Sequence, residues 1–117
     1  MVAAERSAQT DTASKVCPHF HAAIELVGKR WSGAILWALN DGPSRFVELN
    51  QGVPGLSDRL LSQRLRELEA EGLVERSVQA AQPVRVTYSL TVKGRELEPA
   101  LQELQAWGER WNTGLDD

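Results

Sequence analysis

The apolar residues of this chain change their period after Gly72, and that change limits what the chain can fold into. Between Ser57 and Glu71 they recur at three- and four-residue spacing, as Leu60, Leu61, Leu65 and Leu68. Past Gly72 the spacing becomes two, with Val84, Val86, Tyr88 and Leu90 alternating with Arg85, Thr87 and Ser89. The first period belongs to a helix with one apolar stripe, the second to a strand with one apolar face. Such a strand needs a partner, and residues 73–78 supply one, with residues 79–83 as the loop of a hairpin. The fold class is therefore mainly α with a small β-hairpin.

Upstream, further helices are bounded by start and stop signals. Pro18 suits a first helical turn, and Phe20, Ala23, Ile24 and Val27 follow at helical spacing until Gly28. Trp31, Ala34, Ile35, Ala38 and Leu39 repeat the pattern, which the Asn40-Asp41-Gly42-Pro43 turn ends. Ser44 is placed to cap a short helix with Phe46, Val47 and Leu49 inward, closed by Gly52 and Pro54-Gly55. Ser57 caps the next helix, expected over residues 57–71, and Gly72 supplies its left-handed end. Beyond the hairpin, Thr91 caps a helix over about residues 91–112, kinked or broken early by Pro99. Residues 1–16, without a sustained apolar period, read as a flexible arm, and residues 17–117 as one domain with a single core.

Two helices across a Gly- and Pro-containing turn, followed by a hairpin, make a winged helix-turn-helix: a three-helix DNA-binding core plus a wing. At 100° per residue, the second helix of the pair has Leu60, Leu61, Leu65 and Leu68 on its back and Arg59, Ser62, Gln63 and Arg66 on its front. Arginine matches a guanine edge and glutamine an adenine edge, so this front is suited to reading bases. Ser57 and the first amides of the helix are placed to meet a phosphate. Arg64 falls inside the apolar arc, where it needs an acid such as Glu67 or Glu71. Arg76 and Arg85 on the hairpin are the cations nearest a wing loop, Gln79-Ala80-Ala81-Gln82-Pro83, that has no basic tip.

A net charge of −3 runs against a nucleic-acid binder, but much of the acidic excess lies past Thr91, at Glu96, Glu98, Glu103, Glu109, Asp116 and Asp117. No Gly-rich phosphate loop or nucleophile–base pair appears, so no enzyme and no cofactor is expected. Cys17, His19 and His21 do not share a helix face, and a single cysteine leaves a soft metal site incomplete. No apolar run is long enough for a membrane span or signal peptide, and the expected location is the cytoplasm.

The ordered set Cys17-Pro18, Gly28-Lys29-Arg30-Trp31-Ser32, Arg45-Phe46-x-Glu48-Leu49, Pro54-Gly55-Leu56-Ser57, Leu60-Leu61-Ser62-x-Arg64-Leu65-x-Glu67-Leu68-Glu69, Gly72-Leu73-Val74-x-Arg76, Pro83-x-Arg85-Val86-x-Tyr88-x-Leu90-Thr91 and Gly94 resembles the HxlR family of bacterial transcription regulators. The resemblance runs from about Cys17 to Trp111. It implies a sequence-specific regulator of the winged helix-turn-helix type whose homodimer, formed by the N- and C-terminal helices, binds a roughly palindromic double-stranded operator. The expected DNA-facing set is Arg45, Ser57, Arg59, Ser62, Gln63, Arg66, Arg76 and Arg85.

Leu97, Leu101, Leu104, Trp107 and Trp111 share an arc of the last helix too apolar to leave in water, and are the expected dimer contacts. Cys17 stands before Pro18 at a helix start, among unpaired amides and close to Lys15, a setting that makes a sulfur reactive. The resemblance supports the same reading, of a redox or electrophile sensor. Two alternatives share the fold: a protein–protein adaptor that has lost DNA binding, which the retained Arg59, Gln63 and Arg66 speak against, and a regulator governed by a small ligand between subunits. The sequence names no effector.

Overall fold

The computed structural model describes residues 14–112. The expected arm, residues 1–16, lies outside the described residues except for its last three positions. In chain order the elements are α1 (Pro18–Val27), α2 (Ser32–Leu39), α3 (Phe46–Gly52), α4 (Asp58–Ala70), β1 (Val74–Gln79), β2 (Arg85–Leu90), α5 (Val92–Arg95) and α6 (Glu98–Trp111).

The core forms where α2, α3, α4 and the root of the hairpin meet. Ile35, Leu36, Leu39, Leu49, Leu61, Leu65, Leu68, Leu73, Val74 and Leu90 are each 3% exposed or less. Burying one such side chain stabilises the fold by about 1.5–3 kcal/mol. Helix α2 is the central element, packed against α1, α3, α6 and β2. Its buried surface is therefore wider than the single stripe expected: Leu36 is buried, whereas Ala34 is exposed. Trp31 is not part of the helix but its N-cap, in the left-handed region at φ 77°. That conformation costs about 1–3 kcal/mol, and the half-buried indole packs against the core.

Strands β1 and β2 pair antiparallel from Val74↔Leu90 out to Gln79↔Arg85. The ladder starts one residue later than expected because Leu73 is committed elsewhere. Its N–H donates to the Leu68 carbonyl at the end of α4 (2.9 Å), and its carbonyl accepts from Thr91 N–H (3.1 Å). Ser44 does not cap α3. It forms a one-residue bridge with Tyr88, N–H to carbonyl in both directions at 2.9 and 2.8 Å, adding a short third edge to the hairpin. Arg45 takes the N-cap position, its N–H donating to Glu48 Oε1 at 2.8 Å. Val47, expected inward, is exposed.

The single C-terminal helix expected over residues 91–112 is two helices. Thr91 caps α5 through its Oγ1, which accepts from Gly94 N–H at 3.1 Å. Helix α6 then restarts with Pro99 in its first turn, where a missing N–H is harmless. The apolar arc is itself split: Leu97 and Leu101, at the start of α6, pack against the core of their own chain, while Leu104, Trp107 and Trp111 further along it stay exposed, Trp111 at 69%. Helix α1 buries no residue, and its Phe20 is 65% exposed.

Candidate nucleic-acid interface

The turn between α3 and α4 is fixed from inside and outside. Val53 and Leu56 point into the core, and Gly55 takes φ 89°, with the Trp31 ring 3.4 Å from where a Cβ would stand. Asn50 clamps the turn: its Nδ2 donates to the Leu56 carbonyl (3.2 Å) and to Asp58 Oδ1 (2.6 Å). Sequence reasoning missed Asn50, because a polar residue at the end of a short helix leaves no mark on the hydrophobic period. Ser57, as expected, caps α4, its Oγ accepting from Leu60 N–H at 3.1 Å.

The other end of α4 is held as firmly. Gly72 adopts φ 81°, the left-handed end its position suggested. Two side chains from beyond the hairpin cover the last carbonyls: Lys93 Nζ donates to Glu71 O (2.7 Å) and Thr91 Oγ1 to Gly72 O (2.6 Å). Both contacts span some twenty positions of sequence and are invisible to local pattern. A helix fixed at both ends is a rigid platform for the side chains it carries.

On that platform Leu61, Leu65 and Leu68 are buried, while Arg59, Gln63 and Arg66 are exposed and Ser62 is half-buried. The front expected from the sequence is thus brought together on one face. Arg66 Nη1 donates to Ser62 Oγ at 2.8 Å, which steadies the guanidinium. Gln63 Nε2 donates to Glu67 Oε2 at 3.3 Å. Arg64, only 9% exposed, turns inward: its Nε donates to the Arg30 carbonyl (2.9 Å) and its Nη1 to Glu67 Oε1 (3.2 Å), the pairing expected of it.

Lys29 Nζ lies 3.1 Å from the same Glu67 oxygen. The hydrogen bond from Lys29 is the main reason the Glu67 carboxyl lies below its ordinary value; desolvation opposes it, and Gln63 and the charges of Lys29 and Arg64 assist. Of the acids that flank this face, Asp58 is engaged by Asn50 and Glu67 by Lys29 and Arg64, while Glu69 is exposed. A further cation, the Arg30 guanidinium, stacks 5.3 Å from the centre of the Trp31 ring.

The remaining candidates are distributed around this face. Arg45 is exposed at the start of α3, next to the bridge between Ser44 and Tyr88; its Nη2 is 3.7 Å from Glu48 Oε2, an exposed pair of little strength. The strand register separates the wing arginines. Arg76 lies opposite Tyr88, on the face of the hairpin that carries Val74 and Leu90. Arg85 lies opposite Gln79, on the other face with Ser77 and Thr87. Both are exposed, but they cannot serve one contact together.

Cys17 occupies the N-cap position of α1, exposed and making no side-chain capping bond. His19 and His21 are exposed beside it. Among the described residues no group of three or more metal-binding side chains comes together, and no helix is long and apolar enough to cross a membrane.

Comparison with known proteins agrees with this geometry. The family model described as HxlR-like helix-turn-helix matches residues 26–115. The HTH-type transcriptional regulators YvaP and YodB of Bacillus subtilis (strain 168) are 46% and 45% identical to the chain; the alignments cover 84% and 82% of it and 91% and 86% of those proteins. Among solved structures, the reduced form of B. subtilis YodB superposes with a TM-score of 0.75 at 45% identity, over 82% of this chain and 94% of that one. The redox regulator HypR in its reduced form superposes at 0.77 with 37% identity, over 84% and 97%. YodB has also been solved after diamide treatment and with a quinone bound. With the reading helix, its turn and its hairpin all in place, the chain belongs to the HxlR-like helix-turn-helix family.

Proposed function

We infer that this DNA-binding transcriptional regulator acts as a homodimer on a roughly palindromic operator, with α4 of each subunit in the major groove. The observation that carries this reading is the shared exposure of Arg59, Gln63 and Arg66 on a helix anchored at both ends. Those three side chains discriminate bases, while Ser57, Ser62 and Arg45 lie where the phosphate backbone would pass. Arg85 and Arg76, on opposite faces of the wing, make separate backbone or minor-groove contacts.

Two subunits are supported by apolar surface left in water. Phe20 and Ile24 on α1, Trp37 on α2, and Leu104, Trp107 and Trp111 on α6 are exposed, and α2 packs against both α1 and α6. A twofold partner covering these helices would set the two copies of α4 at a fixed spacing. Cys17 stands at the start of the same α1, open to solvent, and the relatives of known structure include regulators named for redox behaviour. Oxidation or alkylation of Cys17 would act on the dimer contact and through it on operator affinity.

Gel-shift and footprinting on DNA flanking the protein's own gene, at fixed salt, test the reading. Arg59→Ala, Gln63→Ala and Arg66→Ala should each lose about 1–3 kcal/mol on the selected site and less on random DNA. Equal losses on both would make them phosphate contacts. Leu104→Glu should yield monomers that lose most operator affinity; a monomer that binds as tightly as wild type contradicts the dimer.

A further inference from the structure

Glu67 stands between two groups of residues with different fates. Its Oε1 takes Lys29 from the α1–α2 corner (3.1 Å) and the buried Arg64 (3.2 Å), and both fix where the carboxylate sits. Its Oε2 takes the side-chain amide of Gln63 at 3.3 Å, on the face that meets DNA. The carboxyl is held below its ordinary value chiefly by the Lys29 hydrogen bond, so at neutral pH it is ionised and can only accept.

That one-way character fixes a direction. An amide facing a carboxylate has to present its NH2 group, because the flipped amide would set oxygen against oxygen. One N–H of Gln63 is thereby committed to Glu67. The other N–H and the carbonyl oxygen remain side by side, a donor next to an acceptor. Adenine offers the complement in the major groove, an acceptor at N7 beside a donor at N6, whereas guanine offers two acceptors.

We propose that Glu67 is a positioning residue that presets the Gln63 amide to read adenine, and that Lys29 and Arg64 hold Glu67 in place for it. The proposal rests on the reading of α4 as the groove helix with Gln63 among its base contacts. It adds that the preference at one base of each half-site is set by a residue that does not touch DNA, anchored at a corner of the fold remote in sequence.

The experiment is a base-by-base affinity profile of an operator selected by the wild-type protein, measured for wild type, Gln63→Ala, Glu67→Ala, Glu67→Gln and Lys29→Met. Wild type should favour adenine at one position per half-site by about ten- to a hundredfold. Gln63→Ala should flatten that position and identify it. Glu67→Ala should reduce the preference there to about threefold or less, leaving the positions read by Arg59 and Arg66 unchanged, and adding Gln63→Ala should produce no further flattening. Glu67→Gln, which keeps an acceptor but lets the amide pair flip, should fall in between. Lys29→Met, which leaves the α4 sequence intact, should shift the same position in the same direction.

A purely structural Glu67 would lower the melting temperature and weaken all positions alike, which overturns the proposal. A sharp adenine preference retained in Glu67→Ala, or a position that prefers another base, overturns it as well. If Gln63→Ala flattens no position at all, the failure lies in the assignment of Gln63 as a base contact.

Discussion

Arg64 and Arg66 are two residues apart on one helix, the first buried and the second exposed, and a pair of methionine substitutions separates the structural role of the one from the base contact proposed for the other. Methionine keeps an unbranched apolar stem like that of arginine and removes the guanidinium with its charge. At Arg64 it deletes a charge-assisted bond to the Arg30 carbonyl (2.9 Å), a contact worth about 1.5–3 kcal/mol. It also deletes the pair with Glu67 (3.2 Å), but the Glu67 side chain is 34% exposed and Lys29 still holds it, so that loss adds no more than about 1 kcal/mol. Removing a buried charge returns part of its desolvation cost. The net expectation is a loss of about 2–3 kcal/mol, or roughly 10–15 °C in melting temperature for a chain of this size. At Arg66, exposed and bonded only to Ser62 among the described residues, the same change should move stability by less than about 0.5 kcal/mol. Operator affinity should reverse the order per unit of stability, since Arg66→Met removes the proposed base contact and leaves the fold alone. The assay is urea unfolding at fixed protomer concentration, run beside a gel-shift at a temperature where both variants are folded. Equal unfolding midpoints for the two variants would refute the structural assignment of Arg64.

Two further outcomes follow from the space around glycines and one from the chemistry of the single cysteine. Gly94→Ala should cost about 1–3 kcal/mol by calorimetry, because the new Cβ would be driven onto the Leu73 carbonyl oxygen and to 3.2 Å from Leu90 Cδ2; Gly108→Ala in α6, where the nearest atom is the flexible Asn112 amide at 3.7 Å, should be neutral or stabilising by up to about 1 kcal/mol. Diamide oxidises two thiols to one disulfide, and with one cysteine in the sequence the product is a bridge to Cys17 of the partner subunit or a mixed disulfide with an added small thiol. Operator binding by wild type should change across a diamide titration, with the adduct found on Cys17 by mass spectrometry, while Cys17→Ser should not respond; identical titrations would make the cysteine structural.

The elements whose stabilising contacts are local were legible in the sequence. Helix α4 carries its apolar stripe, its serine cap and its terminal glycine within sixteen residues, and all three were found where the sequence put them. What was not legible depends on contacts between distant segments. Ser44 has the composition of a helix cap, yet Tyr88, forty-four positions away, offers both a donor and an acceptor and takes it into a bridge. Helix α2 departs from a single stripe because four other elements surround it. The last helix was read as one piece because Thr91 is a true cap; nothing local shows that its helix stops after four residues, although Pro99 marks where the next begins.

The net charge of −3 misleads for a physical reason that the structure makes plain. A sum over residues treats every acid as facing the same solvent, whereas a DNA-binding face responds only to the charges turned toward it. Of the acids that flank the proposed reading arc, Asp58 is engaged by Asn50 and Glu67 by Lys29 and Arg64, whereas Glu69 stays exposed. The three engaging residues, Asn50, Lys29 and Arg64, make no contribution to the front themselves. By pairing with the Glu67 carboxylate, Lys29 and Arg64 lower its repulsion against phosphate, and the face proposed to meet DNA keeps Arg59 and Arg66 as exposed cations. The charge this face presents therefore depends on how the fold pairs Glu67 as well as on where it puts arginines.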